Sequence, residues 1–160
     1  MNPADILKYG QLTIAGAVDK LPESAQNTAG VCGVWSVKDI IAHLASYEHV
    51  LEEVLNSFLI GGETPYLKQY TASRDFNDAQ VAQRKDYSYA QVWDELTGVH
   101  ARVSALVPQI PSETWRQPGT LPWYGEAYAL DDFIVYAFYG HKREHSAQIA
   151  VFRDTLIKPA

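Results

Sequence analysis

The sequence predicts an all-α protein, a four-helix bundle with crossover (up-down-down-up) connections, and three observations carry that expectation. Four stretches space their apolar residues as the inward stripe of a helix does. No segment alternates convincingly at period two, and no Asn-Gly or Asp-Gly hairpin signal occurs. Glycines and prolines gather between the stripes, leaving two long connections, about 61–76 and 108–130, that would permit crossover rather than simple hairpins. A chain of 160 residues has room for one core, so a single domain spans 1–160. With 47% hydrophobic and 20% charged residues it has apolar surface enough to fold.

The first helix is expected from about Ala4 to Leu21, where Leu7, Gln11, Ile14, Val18 and Leu21 keep one face inward. Ser36 followed by Asp39 has the pattern of a capping box and should open the second helix. Its stripe is Ile41, Leu44, Glu48, Leu51, Leu55 and Phe58, flanked by Ile40, His43, Tyr47 and Val54, and Gly61-Gly62 supply the stop. Asn77 with Gln80 and Ser88 with Gln91 repeat the capping logic, giving a short helix near 77–86 and a longer one near 89–107. The longer one turns Val92, Leu96, Val99, Val103 and Leu106 inward. A last helix should begin at Asp131 or Asp132, where acidic side chains favour a helix N-terminus; its stripe reads Ile134, Phe138, His141, His145, Gln148, Phe152.

Charge and cysteine content exclude several classes of function. The formal net charge is −6 and no basic run exceeds Lys142-Arg143, so the surface that neutralises phosphates is missing and nucleic acid is not an expected partner. Cys32 is the single cysteine, which rules out an internal disulfide and any multi-cysteine metal site. With no cation flanking it, a nucleophilic role is not expected either. No apolar run approaches the ~20 residues that span a bilayer, and the start, Met1-Asn2-Pro3-Ala4-Asp5, does not read as a signal peptide. The expected location is cytoplasmic, without membrane contact.

Chemistry concentrates in the histidines. His141 and His145 stand at i, i+4, which stacks their rings on one helical face about 6 Å apart, within reach of a common metal ion. Both lie in an inward stripe, where unpaired polar rings are costly. His43, beside the core stripe of the second helix, is the best candidate third ligand. Three imidazoles with one open position suit a catalytic divalent ion, and imidazole accepts zinc, nickel, iron and copper alike. His49 lies about 240° round the helix from His43 and cannot join the same site; His100 is expected to be structural or exposed.

Glu48, the one acid in a core stripe, is either an acceptor for a ligand imidazole or a partly exposed carboxylate at the bundle edge. Glu144 and Glu48 are the candidate catalytic bases, although an offset of about 100° from His145 also allows Glu144 to be a solvated helix residue. Gln11, Tyr47 and Gln148 face the interior and are candidates to orient water or substrate. The aromatic connection containing Trp115, Leu121, Trp123, Tyr124 and Tyr128 can wall a pocket or simply pack. His141-Lys-Arg-Glu144-His145 also matches H-x-x-E-H, the inverzincin peptidase motif, but those peptidases need a further acidic ligand downstream, and Asp154 is the only acid after His145. A di-iron bundle is disfavoured because no Glu-x-x-His spacing occurs.

Gly33-Val-Trp35-Ser36-Val-Lys-Asp39-Ile-Ile-Ala-His43-Leu44, together with Asp75-Phe76-Asn77 and Tyr139-Gly-His141-Lys-Arg-Glu144-His145-Ser-Ala-Gln148-Ile149, resembles the DinB-like family of four-helix-bundle proteins over nearly the whole chain. Within it the chain looks closest to the branch of the colibactin self-resistance protein, some members of which lack the metal histidines. The resemblance implies a homodimeric bundle whose divalent metal, zinc or nickel, is held by His43, His141 and His145. It further implies a hydrolase or a transferase that activates water or a low-molecular-weight thiol against a small electrophile. Two other readings remain open: a non-catalytic bundle that sequesters a small molecule, and a closed, purely structural metal site.

Overall fold

The computed structural model describes residues 2–157, and its regular structure is helical throughout. Helix α1 (Pro3–Val18) starts where Asn2 Oδ1 accepts the amide of Ala4 at 3.0 Å and Pro3 fills the first helical position. It ends three residues short of Leu21, because Asp19 turns extended and Lys20 adopts a left-handed φ of 63°. Helix α2 (Val37–Ser57) opens on the expected capping box: Ser36 Oγ accepts from the Asp39 amide at 3.2 Å, and Asp39 Oδ2 accepts from the Ser36 amide at 2.9 Å. Helix α5 (Tyr89–Leu106) repeats it with Ser88 and Gln91.

Three local features differ from the sequence reading. Pro65–Ala72 forms a helix, α3, inside what reads as a connection. Eight residues are marginal as an isolated helix, and this one is held by Glu53 of α2, whose carboxylate accepts the amides of Tyr66 at 3.1 Å and Leu67 at 2.8 Å. Helix α4 (Phe76–Gln83) has no side-chain cap, and Gln80 is buried instead of capping, bonded to Gln69 and Arg84. The last helix is not uniform. It begins as α6 (Leu130–Ile134), with Asp132 Oδ2 accepting the Ala129 amide at 2.9 Å, passes through a π-helical turn at Val135–Gly140, and continues as α7 (His141–Ile157).

Helix α2 packs principally on α5, and α1 on α7 and the π turn; α2 and α7 approach one another only over a short stretch. The apolar core falls into two clusters. One gathers Leu7, Val50, Leu51, Val54, Leu55, Val99, Val103, Phe133 and Phe138; the other gathers Ile14, Val37, Ile40, Ile41, Leu44, Val92, Leu96 and Ile149. Each long helix runs from one cluster to the other. Where α1, α2 and α7 cross between them, the inward residues are polar: Gln11, His43, Ser46, Glu48, Lys142, His145 and Ser146. No helix among the described residues is long and apolar enough to cross a membrane.

Candidate metal centre

The polar layer holds two side-chain groups, and the first consists of His43, His141 and His145. His43 projects from the second turn of α2, while His141 and His145 occupy successive turns of α7 directly after the π turn. Such turns insert a residue and re-aim the helical face that follows, and they recur at functional sites. One ligand atom from each ring lies within 4.8 Å of the other two. His141 Nε2 stands 2.9 Å from His43 Nε2 and 3.0 Å from His145 Nε2. Two nitrogens bound to one tetrahedral zinc would stand about 3.3 Å apart, given Zn–N bonds of about 2.0–2.1 Å, so the separations are of the right order.

The outer ring nitrogens decide what the inner ones carry. His141 Nδ1 faces the Ala137 carbonyl at 3.3 Å, and His145 Nδ1 faces Gln148 Oε1 at 2.8 Å. Both partners are acceptors, so both Nδ1 atoms hold the proton, and both Nε2 atoms present bare lone pairs to each other. His43 Nδ1 is buried without a partner. A proton on His43 Nε2 can satisfy one of the two short contacts; the contact between His141 and His145 still sets acceptor against acceptor. A cation at the meeting point resolves both short contacts at once, and three imidazole nitrogens are a donor set that fits a divalent metal.

The rings are also kept neutral, as ligation requires. Burial, reinforced by His141 and His145, pushes His43 down to about 2. Burial and His145 push His141 down to about 4, against the opposing bond to the Ala137 carbonyl, and burial lowers His145. Aromatic rings surround the group, with Trp35 centred 5.0 Å and Tyr47 4.9 Å from His43, and Tyr47 4.6 Å from His141.

The second group is Glu48, Lys142, Gln11 and His100. Lys142 Nζ donates to Glu48 Oε1 and, at 2.9 Å, to Gln11 Oε1, while His100 Nδ1 lies 3.2 Å from Glu48 Oε2. Glu48 is 0% exposed and Lys142 2%, so the pair is fully withdrawn from water. Burial alone would raise the carboxyl; Lys142, with help from His100, overrides it and holds Glu48 down at about 2. Glu48 is therefore neither at the bundle edge nor bonded to a site imidazole. Lys142, adjacent to His141, was not singled out in the sequence, although its spacing from Phe138 and Ile149 puts it on an inward face opposite the one buried acid.

The other expectations distribute as follows. Glu144 is exposed but lines a pocket of about 340 Å³ together with His141, Tyr47, Tyr70, Tyr124 and Tyr136. Tyr124 thus fulfils the wall role offered for the aromatic connection, while Trp115 and Leu121 are core and Trp123 packs on Tyr70 and Phe133. Tyr70 and Tyr136 come from α3 and the π turn. Gln148 orients His145, and Gln11 serves Lys142. His49 lies apart, 3.0 Å from Glu95 and stacked on Tyr66, in a separate network in which Arg84 grips the Glu95 carboxylate. His100 is structural, bonded to Glu48. Asp154 is exposed, with Arg153 3.4 Å away, and the third nitrogen beside the two α7 histidines is that of His43.

A family model described as the DinB superfamily matches residues 9–149, which takes in all three histidines. The match is to the superfamily and does not single out a branch within it. Comparison with curated proteins and with solved structures yields no match.

Proposed function

The chain belongs to the DinB superfamily, and from that premise, joined to the convergence of three neutral imidazoles, we propose that it is a metal-dependent enzyme acting on a small electrophile. His43, His141 and His145 hold one divalent ion, zinc or nickel, and the observation that carries this reading is the meeting of three ring nitrogens at 2.9 and 3.0 Å, with acceptor facing acceptor between His141 and His145. An ion held there supplies Lewis acidity that makes water, or the sulfur of a low-molecular-weight thiol, a competent nucleophile near neutral pH.

The rest of the work falls to the chain itself. Gln148, by accepting the Nδ1 proton of His145, fixes that ring's tautomer and orientation. Glu144 shares the pocket wall with His141 and is the base: its carboxylate takes the proton that the nucleophile loses and returns it to the leaving group. Glu48 is a poor base, since its lone pairs are committed to Lys142 and His100. It acts by position, tying α2 to α7 beside the histidines. A pocket of about 340 Å³ suits a small molecule and supports that substrate class over an extended peptide.

Elemental analysis of tag-free protein tests the reading. About one divalent ion per chain is expected, lost in both His43→Ala and His141→Ala while helicity is retained. Product from a panel of thiols and electrophiles should exceed the amount of protein and fall at least about tenfold in Glu144→Gln. Failure to bind zinc or nickel at about micromolar concentration overturns the proposal, and product that never exceeds protein replaces it with a sequestering bundle.

A further inference from the structure

The pocket beside the histidines has a one-sided chemistry. Tyr47, Tyr70, Tyr124 and Tyr136 form most of its wall, with His141 at one end; among the described residues Glu144 is its one carboxylate and no lysine or arginine lines it. A second hollow of about 350 Å³ shares Tyr124 and Tyr136 and adds Tyr128, so the tyrosine lining continues outward. Tyr136 is 66% exposed and Tyr128 48%, a large outlay of aromatic surface on one face. The rings are not parallel: Tyr47 and Tyr70 meet at 78° with centroids 5.5 Å apart, and Tyr124 and Tyr128 at 57° and 5.4 Å. The wall is thus a set of crossed π-faces beside one carboxylate, Glu144.

Crossed, neutral aromatic rings with one carboxylate and no cation are the surroundings that attract a weakly hydrated positive charge. At the tyrosine wall an anionic group would meet Glu144 with no cationic side chain in the described lining to neutralise it, the divalent ion proposed at the histidines lying at the other end, and a purely apolar group would waste the phenol hydroxyls. We propose that this pocket binds the alkylated ammonium end of a small cationic substrate against the faces of Tyr47, Tyr70, Tyr124 and Tyr136, with the substrate's other end directed at His141 and Glu144, whose negative charge favours the ammonium through space. The inference deepens the proposed function by naming the substrate class of the same site, and it rests on that pocket being the substrate's. It adds no covalent step. The net charge of −6 favours approach of such a ligand over an anion.

Calorimetric titration of the full chain, once metal-loaded and once after chelation, compares choline with its neutral isostere 3,3-dimethylbutan-1-ol and its anionic counterpart 3,3-dimethylbutanoate. Choline is expected to bind in the millimolar range and at least about tenfold more tightly than the isostere. Tyr136→Leu, which alters an exposed ring and should leave the fold intact, should weaken choline about threefold or more while sparing the isostere; Glu144→Gln should weaken it most at low salt. Equal affinity for choline and isostere, preference for the anion, or no choline binding at about 10 mM overturns the inference. Choline selectivity in a chain that binds no metal retains it while removing the metal reading, and metal without selectivity does the reverse.

Discussion

The two polar groups that part the core sit side by side and both bridge α2 and α7, the second drawing also on α1 and α5, yet they solve the cost of burial in opposite ways. Glu48 and Lys142 neutralise each other, and Gln11 and His100 take up further bonds, so the charges of that group are closed on themselves, with only the neutral Gln11 Nε2 left without a partner among the described residues. His43, His141 and His145 carry no opposite charge and turn acceptors toward one another. A closed group contributes by holding elements in register. An open one asks for something the chain does not contain, and that is the difference between a structural polar cluster and a ligand site.

Breaking the closed group should produce the largest effect. Lys142→Ala or Glu48→Ala leaves an unpaired charge at full burial, and each is expected to cost about 3–5 kcal/mol in urea unfolding of metal-free protein. The double replacement Glu48→Leu with Lys142→Met should cost less than either single change, since no charge is then stranded. A double variant as unstable as the sum of the singles would show that the pair itself, and not the stranded partner, carries the energy.

The same carboxylate gives the comparison a pH signature. Glu48 titrates at about 2 in the folded chain against an ordinary value of 4.5, so between those values the unfolded chain binds a proton that the folded chain refuses. Its contribution is fully present above pH 4.5 and is lost as the pH falls toward 2. Stability measured from pH 5 downward should decline more steeply in the parent than in Glu48→Gln, once the lower starting stability of the variant is subtracted.

The open group should respond to metal instead. Zinc at about a hundredfold over its Kd should stabilise the parent by about 2.7 kcal/mol, with no gain in His43→Ala or His141→Ala. Gln148→Ala, which frees the His145 ring without removing a ligand, should weaken zinc about 10–100-fold. An equal zinc gain in the His141→Ala variant would mean that the ion sits elsewhere.

What the sequence made legible follows the same division between local and distant partners. The capping boxes at Ser36 and Ser88 and the histidine stripe were readable because their determinants lie within four residues of each other. Helix α3 was not, because its cap is Glu53, more than a turn of chain and a loop away. The π turn has no apolar period of its own, and its ending at Gly140, where an added Cβ would lie 3.2 Å from the Val135 carbonyl, reads as an ordinary small residue in a helix. Tyr70 and Tyr136 ride on these two elements, so the pocket beside the histidines stayed hidden although its inner end was found. Lys142 was hidden for another reason. A lysine beside an arginine reads as surface until the lone acid in the stripe of α2 is recognised as requiring a counter-charge.

The smallest effect is expected where the same pairing stands in water. Arg102 grips Glu52 with two bonds, Nε to Oε1 at 2.6 Å and Nη2 to Oε2 at 3.0 Å, a better geometry than a single ammonium contact provides. Its side chain is 55% exposed, however, so little desolvation is at stake on either side of the unfolding equilibrium. Removing one partner strands a charge that water solvates at once. Arg102→Ala should therefore cost no more than about 1 kcal/mol, shrinking further in high salt, against several for Lys142→Ala. If the two losses came out alike, burial would not be what separates the pair that holds α2 to α7 from the exposed pair that links α2 to α5, and the positioning role of Glu48 would lose its physical basis.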